Sequence, residues 1–214
     1  MMQEEQAFDY KNLKEELWNA ITHGFGLFLS IPTCVILIFL AVQSESAVQI
    51  VSYSIFGASL VLLFLMSTLL HSMPEKYKKF FSILDHSSIY VLIAGTYTPF
   101  LLIAIKGVLG IVLLCIVWGI ALFGIVFKCL FIHRFETFSL LLYIAMGWMI
   151  VFAIKPLYEL LQFDGFTVLL AGGLLFTFGS IFYAWRKLPY NHAIWHLFVI
   201  GGCACMVVCI AFYL

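Results

Sequence analysis

GVLGIVLLCIVWGIALFGIVF, residues 107–127, contains no charged side chain. As an α-helix rising about 1.5 Å per residue it is about 30 Å long, the thickness of a bilayer's hydrocarbon layer. Lipid offers no hydrogen-bond partner, so a spanning segment satisfies its own backbone, and the α-helix does this within one stretch of chain. Working outward, polar breaks fall at 43–46, 72–79, around Lys106, and at 128–136, 155–164 and 185–191. They divide the chain into seven apolar spans of about 19–42, 47–71, 81–104, 107–127, 137–155, 166–184 and 192–213. The expected fold class is an all-α, polytopic seven-transmembrane helix bundle in the cell membrane.

Composition agrees with that class. Of 214 residues, 64% are apolar and only 10% charged, far greasier than a soluble domain. Lys plus Arg equals Asp plus Glu at 11 each, so no net basic charge draws the chain to nucleic acid. Membrane lipids are the expected partners. Residues 1–18 are polar and acid-rich (Glu4, Glu5, Asp9, Glu15, Glu16) and lack the basic and apolar regions of a signal peptide. They read as a cytoplasmic segment ahead of a seven-span domain over 19–214. The six cysteines contain no C-x-x-C pair and lie mostly in apolar runs, where they read as small packing residues.

Nine of the eleven Lys and Arg residues precede the first span or fall in the second, fourth and sixth connections; only Lys106 and Lys155 lie on the other side. The positive-inside rule then puts the amino terminus in the cytoplasm and the carboxyl terminus outside. Pro32 and Pro99 fall inside spans, where loss of a backbone donor predicts a kink. A-G-T-Y-T-P-F, residues 94–100, reads either as a purely structural kink or as a run that opens a cavity, the threonine hydroxyls bonding carbonyls freed near Pro99.

Ionisable residues are costly in hydrocarbon and usually have a functional reason. His71 closes the second span, with Ser67 one turn earlier on the same face; Asp85 and His86 open the third; His192 and His196 open the seventh. The topology brings all of these to one depth on one side. Alone, His71 reads as an interfacial residue and Asp85 as an interfacial acid. Taken jointly with the i, i+4 pair His192 and His196, they point to a metal site. Three neutral imidazoles leave one open position on a tetrahedral zinc ion, the arrangement of catalytic zinc. Asp85 is placed to hold a water there or accept its proton, and Ser67 to orient a ligand or the reacting group. Histidine ligands favour zinc without excluding another borderline metal.

His86 points about 100° away from Asp85 around the helix and reads as packing or support. Glu16, Asn19 and His23 form one stripe, which is either a polar cluster supporting the site or an interfacial helix start. His133, beside Arg134, reads as solvated. Trp18, Tyr77, Trp185, Tyr190 and Trp195 read as interface anchors.

The segments E-x2-N-x2-T-H from Glu16, S-x3-H from Ser67, D-H-S-S-I-Y from Asp85, A-G-T-Y-T-P-F from Ala94 and N-H-x3-H from Asn191 together resemble the hemolysin III family. This is the bacterial branch of the adiponectin and progestin receptor family. The resemblance extends from Glu16 to the carboxyl end. It implies seven helices with the amino terminus inside and zinc on His71, His192 and His196, with Asp85 reaching the metal through water and Ser67 nearby. The wider superfamily includes alkaline ceramidases, which implies hydrolysis of a lipid amide; the family name implies cytolysis.

Three functions follow as expectations. One is a zinc-dependent hydrolase of a lipid amide or ester. Another is a non-catalytic sensor of lipid state, in which the metal ties helices together. The third is a cytolysin, for which the apolar spans offer few residues to line an aqueous lumen.

Overall fold

The computed structural model describes the backbone of residues 2–132 and 134–214, with side chains from Leu13 onward. The side chains of Glu4, Glu5, Asp9 and Lys11, and all of His133, lie outside the described residues. Among the described residues every regular element is helical: α1 (Met2–Gln43), α2 (Ala47–Ser72), α3 (Glu75–Pro99), α4 (Gly107–Phe131), α5 (Glu136–Trp148), α6 (Ile154–Ala184) and α7 (Asn191–Tyr213). Six helical stretches are long and apolar enough to cross a membrane.

The ends follow local chemistry. Ser46 caps α2 by accepting from the Gln49 N–H at 3.3 Å. Pro74 stops one helix and leads into the next, whose first turn carries Glu75 at the positive end of the helix dipole. Between α3 and α4 the chain turns at Lys106 and Gly107, with φ of 50° and 61°. A glycine at the second position adopts that backbone without steric cost.

Side-chain burial is that of a bundle in lipid. In α4 only Gly110, Leu113, Val117, Ala121, Gly124 and Lys128 are buried, a stripe at helical spacing. Val108, Ile111, Phe123 and Val126 stay exposed on the other faces. Small residues on the packed stripe let helices approach closely, and large apolar ones suit a face against lipid. The chief packing partners are α1 with α2, α6 with α7, α2 with α3 and α3 with α4, while α1 also reaches α7. Tyr53 on α2 donates to the Ile210 carbonyl of α7 at 2.6 Å.

The stretch Glu136–Ala184 is the longest of the six, at 49 residues. Extended as one straight helix it would put its ends about 70 Å apart. Instead Arg186 pairs with Glu136. Trp148 Nε1 donates to Thr177 Oγ1 at 3.1 Å, and the Tyr158 and Phe166 rings meet at 5.2 Å. These contacts nest about one point, Gln162, whose φ of 55° and ψ of −170° are not helical. The chain therefore doubles back there, and 136–161 and 163–184 lie antiparallel.

Two expectations change. The polar break at 155–164 is helical except at Gln162, because one residue at positive φ accomplishes the reversal that a loop was expected to make. The third apolar run begins near 81, but its helix begins at Glu75, so Asp85 lies nearly three turns in, not in the first turn. α1 continues through Pro32. At Pro99 the α-helix gives way to a π-helical turn, Phe100–Ile105. The hydroxyls of Thr96 and Thr98 donate to the carbonyls of Leu92 and Ala94.

Candidate metal centre

His71 sits in the last turn of α2, and His192 and His196 face it from the first turns of α7. Each offers a ring nitrogen within 4.8 Å of the other two. The ring centroids are 5.0 Å apart for His71 and His192, 5.4 Å for His71 and His196, and 4.6 Å for His192 and His196. Nε2 of all three is buried and has no hydrogen-bond partner. One unpaired buried polar atom costs about 1–3 kcal/mol, so three converging on one point call for a shared ligand. A metal ion bound by neutral imidazoles satisfies all three, and the donor set suits zinc.

The other face of two rings is held by α1. Nδ1 of His71 donates to the Glu16 carboxylate at 3.2 Å, and Lys78 pairs with the same oxygen. Thr22 Oγ1 donates to the backbone carbonyls of Trp18 and Asn19, at 2.9 and 3.0 Å. Its lone pair therefore faces Nδ1 of His196, 2.9 Å away, and accepts that proton. Both contacts place hydrogen on Nδ1 and leave the Nε2 lone pair for a metal, the usual outer support of a ligating histidine.

Asp85 is buried, at 4% exposure, and lies outside the group of three histidines. Its Oδ2 is 3.8 Å from Nδ1 of His86, and that nitrogen donates to the Ser82 carbonyl at 2.7 Å. Ser67 lies beside the Asp85 carboxyl, with its own Oγ buried and unpartnered. His23 is an interior residue, 1% exposed, and not part of an interfacial helix start. Its ring stacks on His196 at 3.4 Å with a 14° interplanar angle, and neither of its nitrogens has a partner.

Two hollows adjoin the histidines. One, about 210 Å³, begins at Asp85, His192 and Trp195 and reaches Phe100, Leu157 and Met206. Those limits lie about 20 Å apart along α3 and α7. Its walls are chiefly apolar, so it suits a chain of methylenes. The other, about 330 Å³, is lined by Glu15, Glu16, Asn19, His71 and His192.

Thr22 is the threonine of the E-x2-N-x2-T-H segment, but the reading of sequence gave it no role; its place in that segment beside Asn19 and His23 was the available signal. Trp195, read as an interface anchor, packs on His192 at 4.9 Å and lines the long cavity. Trp18, Tyr77, Trp185 and Tyr190 are exposed.

Comparison with known proteins yields one family, described as Haemolysin-III related, which matches residues 11–207. The chain is 57% identical over 202 residues to Hemolysin-3 of Bacillus cereus, covering 94% of this chain and 92% of that one. It is 56% identical to the Hemolysin-3 homolog of Bacillus subtilis (strain 168), covering 94% and 95%. A more distant similarity, 28% over 197 residues, covers 89% of this chain and 80% of the Monocyte to macrophage differentiation factor of Homo sapiens.

Proposed function

The chain belongs to the haemolysin III family of multi-pass membrane proteins, and from that premise we propose that it is a zinc-dependent hydrolase of membrane lipids, cleaving an amide or ester. The observation that carries the reading is the meeting of His71, His192 and His196, each with a buried, unpartnered Nε2, beside an apolar cavity that His192 and Asp85 line. The doubling back at Gln162 supports seven crossings, and the excess of Lys and Arg on one side supports a cytoplasmic amino terminus.

His71, His192 and His196 hold the ion. Bound zinc supplies a polarised carbonyl and an acidified water. Asp85 accepts the proton of the attacking water and returns it to the leaving nitrogen or oxygen, so that water is consumed and a fatty acid and an amine or alcohol are released. Ser67 Oγ, buried and unpartnered beside that carboxyl, is free to orient the reacting group of the lipid. The cavity walls align the acyl chain and keep bulk water from the reacting bond.

The test is metal analysis of purified wild type and His196→Ala, with lipid profiling of proteoliposomes before and after incubation. Near-stoichiometric zinc and metal-dependent fatty acid release are expected for wild type only. Zinc without any lipid consumed would replace hydrolysis by the sensor reading. That second reading is favoured by one observation: the ligands lie on α2 and α7 and their supports on α1, so an ion there also staples three helices. The names of the Bacillus relatives attach haemolysis to those proteins; here the long cavity is apolar where a pore needs a wet lumen, so lysis is read as secondary to lipid chemistry.

A further inference from the structure

The two hollows beside the histidines differ in what they admit. The long cavity presents methyls, methylenes and rings over most of its length, and a divalent cation moving through it would shed its hydration with nothing to replace it. The other hollow is bounded by two carboxylates and a carboxamide from α1, and behind them by His71 and His192. Glu15 and Glu16 are half-buried, so they border both water and the interior. The His71 side chain is 6% exposed, and its Nε2 has no partner. Carboxylates at the mouth and empty nitrogen lone pairs at the back form a gradient of increasingly specific cation ligands.

We infer that the hollow formed by Glu15, Glu16 and Asn19 is the route by which the metal ion reaches and leaves the three histidines, separate from the apolar cavity that admits lipid. The inference rests on the metal reading above and is independent of whether any lipid is cleaved. Glu15 draws the hydrated ion toward the mouth. Glu16 then stands in two roles, accepting from His71 Nδ1 and lining the path, while Lys78 on the same carboxylate limits its grip on a passing ion. Asn19, buried with an unpartnered Oδ1, offers a neutral oxygen between mouth and histidines.

The experiment follows metal exchange with no substrate present. Purified protein in detergent is loaded with Co²⁺, whose visible spectrum reports tetrahedral coordination, and excess EDTA then draws the metal out; uptake by the stripped protein is timed separately. Glu15→Trp obstructs the mouth and is expected to slow both release and uptake while leaving final occupancy and spectrum unchanged. Glu15→Lys reverses the attraction and is expected to lower the uptake rate about tenfold at low salt, with the difference shrinking as salt rises. Gly173→Leu adds bulk to a residue that lines the long cavity, where a Cβ meets no atom within 4 Å, and is expected to leave both rates as in wild type. Wild-type exchange in both Glu15 variants, or slowing by Gly173→Leu instead, overturns the route while the metal site stands. Failure of wild type to bind Co²⁺ or Zn²⁺ overturns the route and the metal reading together.

Discussion

The histidine end of the bundle and the far wall of its long cavity are both built from apolar helices, but their backbones behave differently. At the histidine end, α2, α7 and α3 run unbroken, and the rings are pinned from α1 by Glu16 and Thr22. Along the far wall regular helix gives out repeatedly: a π turn at Phe100–Ile105, a 3-10 turn at Met149–Ala153, and the reversal at Gln162. Ligands that must meet one ion need fixed rotamers on stiff supports. Space for a long chain is opened instead by letting helices bend apart, provided the loosened backbone finds other partners. Tyr97 is such a partner. Its hydroxyl donates to the carbonyls of Met146 and Gly147 and accepts from the Ile150 N–H, each at 2.8 Å, across the point where α5 tightens.

The contrast is broken most severely if the chemistry of the histidine end cannot be separated from its scaffold. Asp85→Asn is expected to lower lipid turnover by about 10²- to 10⁴-fold with zinc content unchanged, measured by fatty acid release alongside elemental analysis. Loss of zinc in the same variant would make Asp85 part of the scaffold. Thr22→Val removes a hydroxyl while keeping the shape, and is expected to weaken metal affinity about 10- to 100-fold in a chelator competition, with Thr22→Ser restoring it. An unchanged affinity would mean that His196 needs no bracing from α1. Tyr97→Phe carries the smallest effect: about 1–3 kcal/mol of thermal or denaturant stability, with metal affinity as in wild type. A shift in metal affinity there would show that wall and histidines are mechanically one.

Much of the histidine end was legible because its residues violate the composition around them. An imidazole or carboxylate in a run of Leu, Ile and Phe stands out, and helical spacing then says which ones share a face. Thr22 did not stand out, since threonine is common in such helices and normally bonds its own backbone; only the fold shows its second contact. The reversal at Gln162 was hidden for a related reason: a polar stretch between apolar runs reads as a loop, and no glycine announces the positive φ. The start of α3 was misjudged because Glu75 to Phe81 is helical without being uniformly apolar. The cavity left one sign, the A-G-T-Y-T-P-F run whose Thr96, Tyr97 and Phe100 line it, while its extent is the space left between side chains rather than a property of any of them.

Among the described residues, His192 alone borders both hollows. A ring shared in this way is a party wall: a tenant pressing on one side changes what the other side can offer. If an amphiphile in the long cavity leans on Trp195 and turns the imidazole beside it, the grip on the ion changes, and by thermodynamic reciprocity the ion alters the amphiphile's hold by the same factor. Titrating either occupant in the presence of the other measures that factor from both directions.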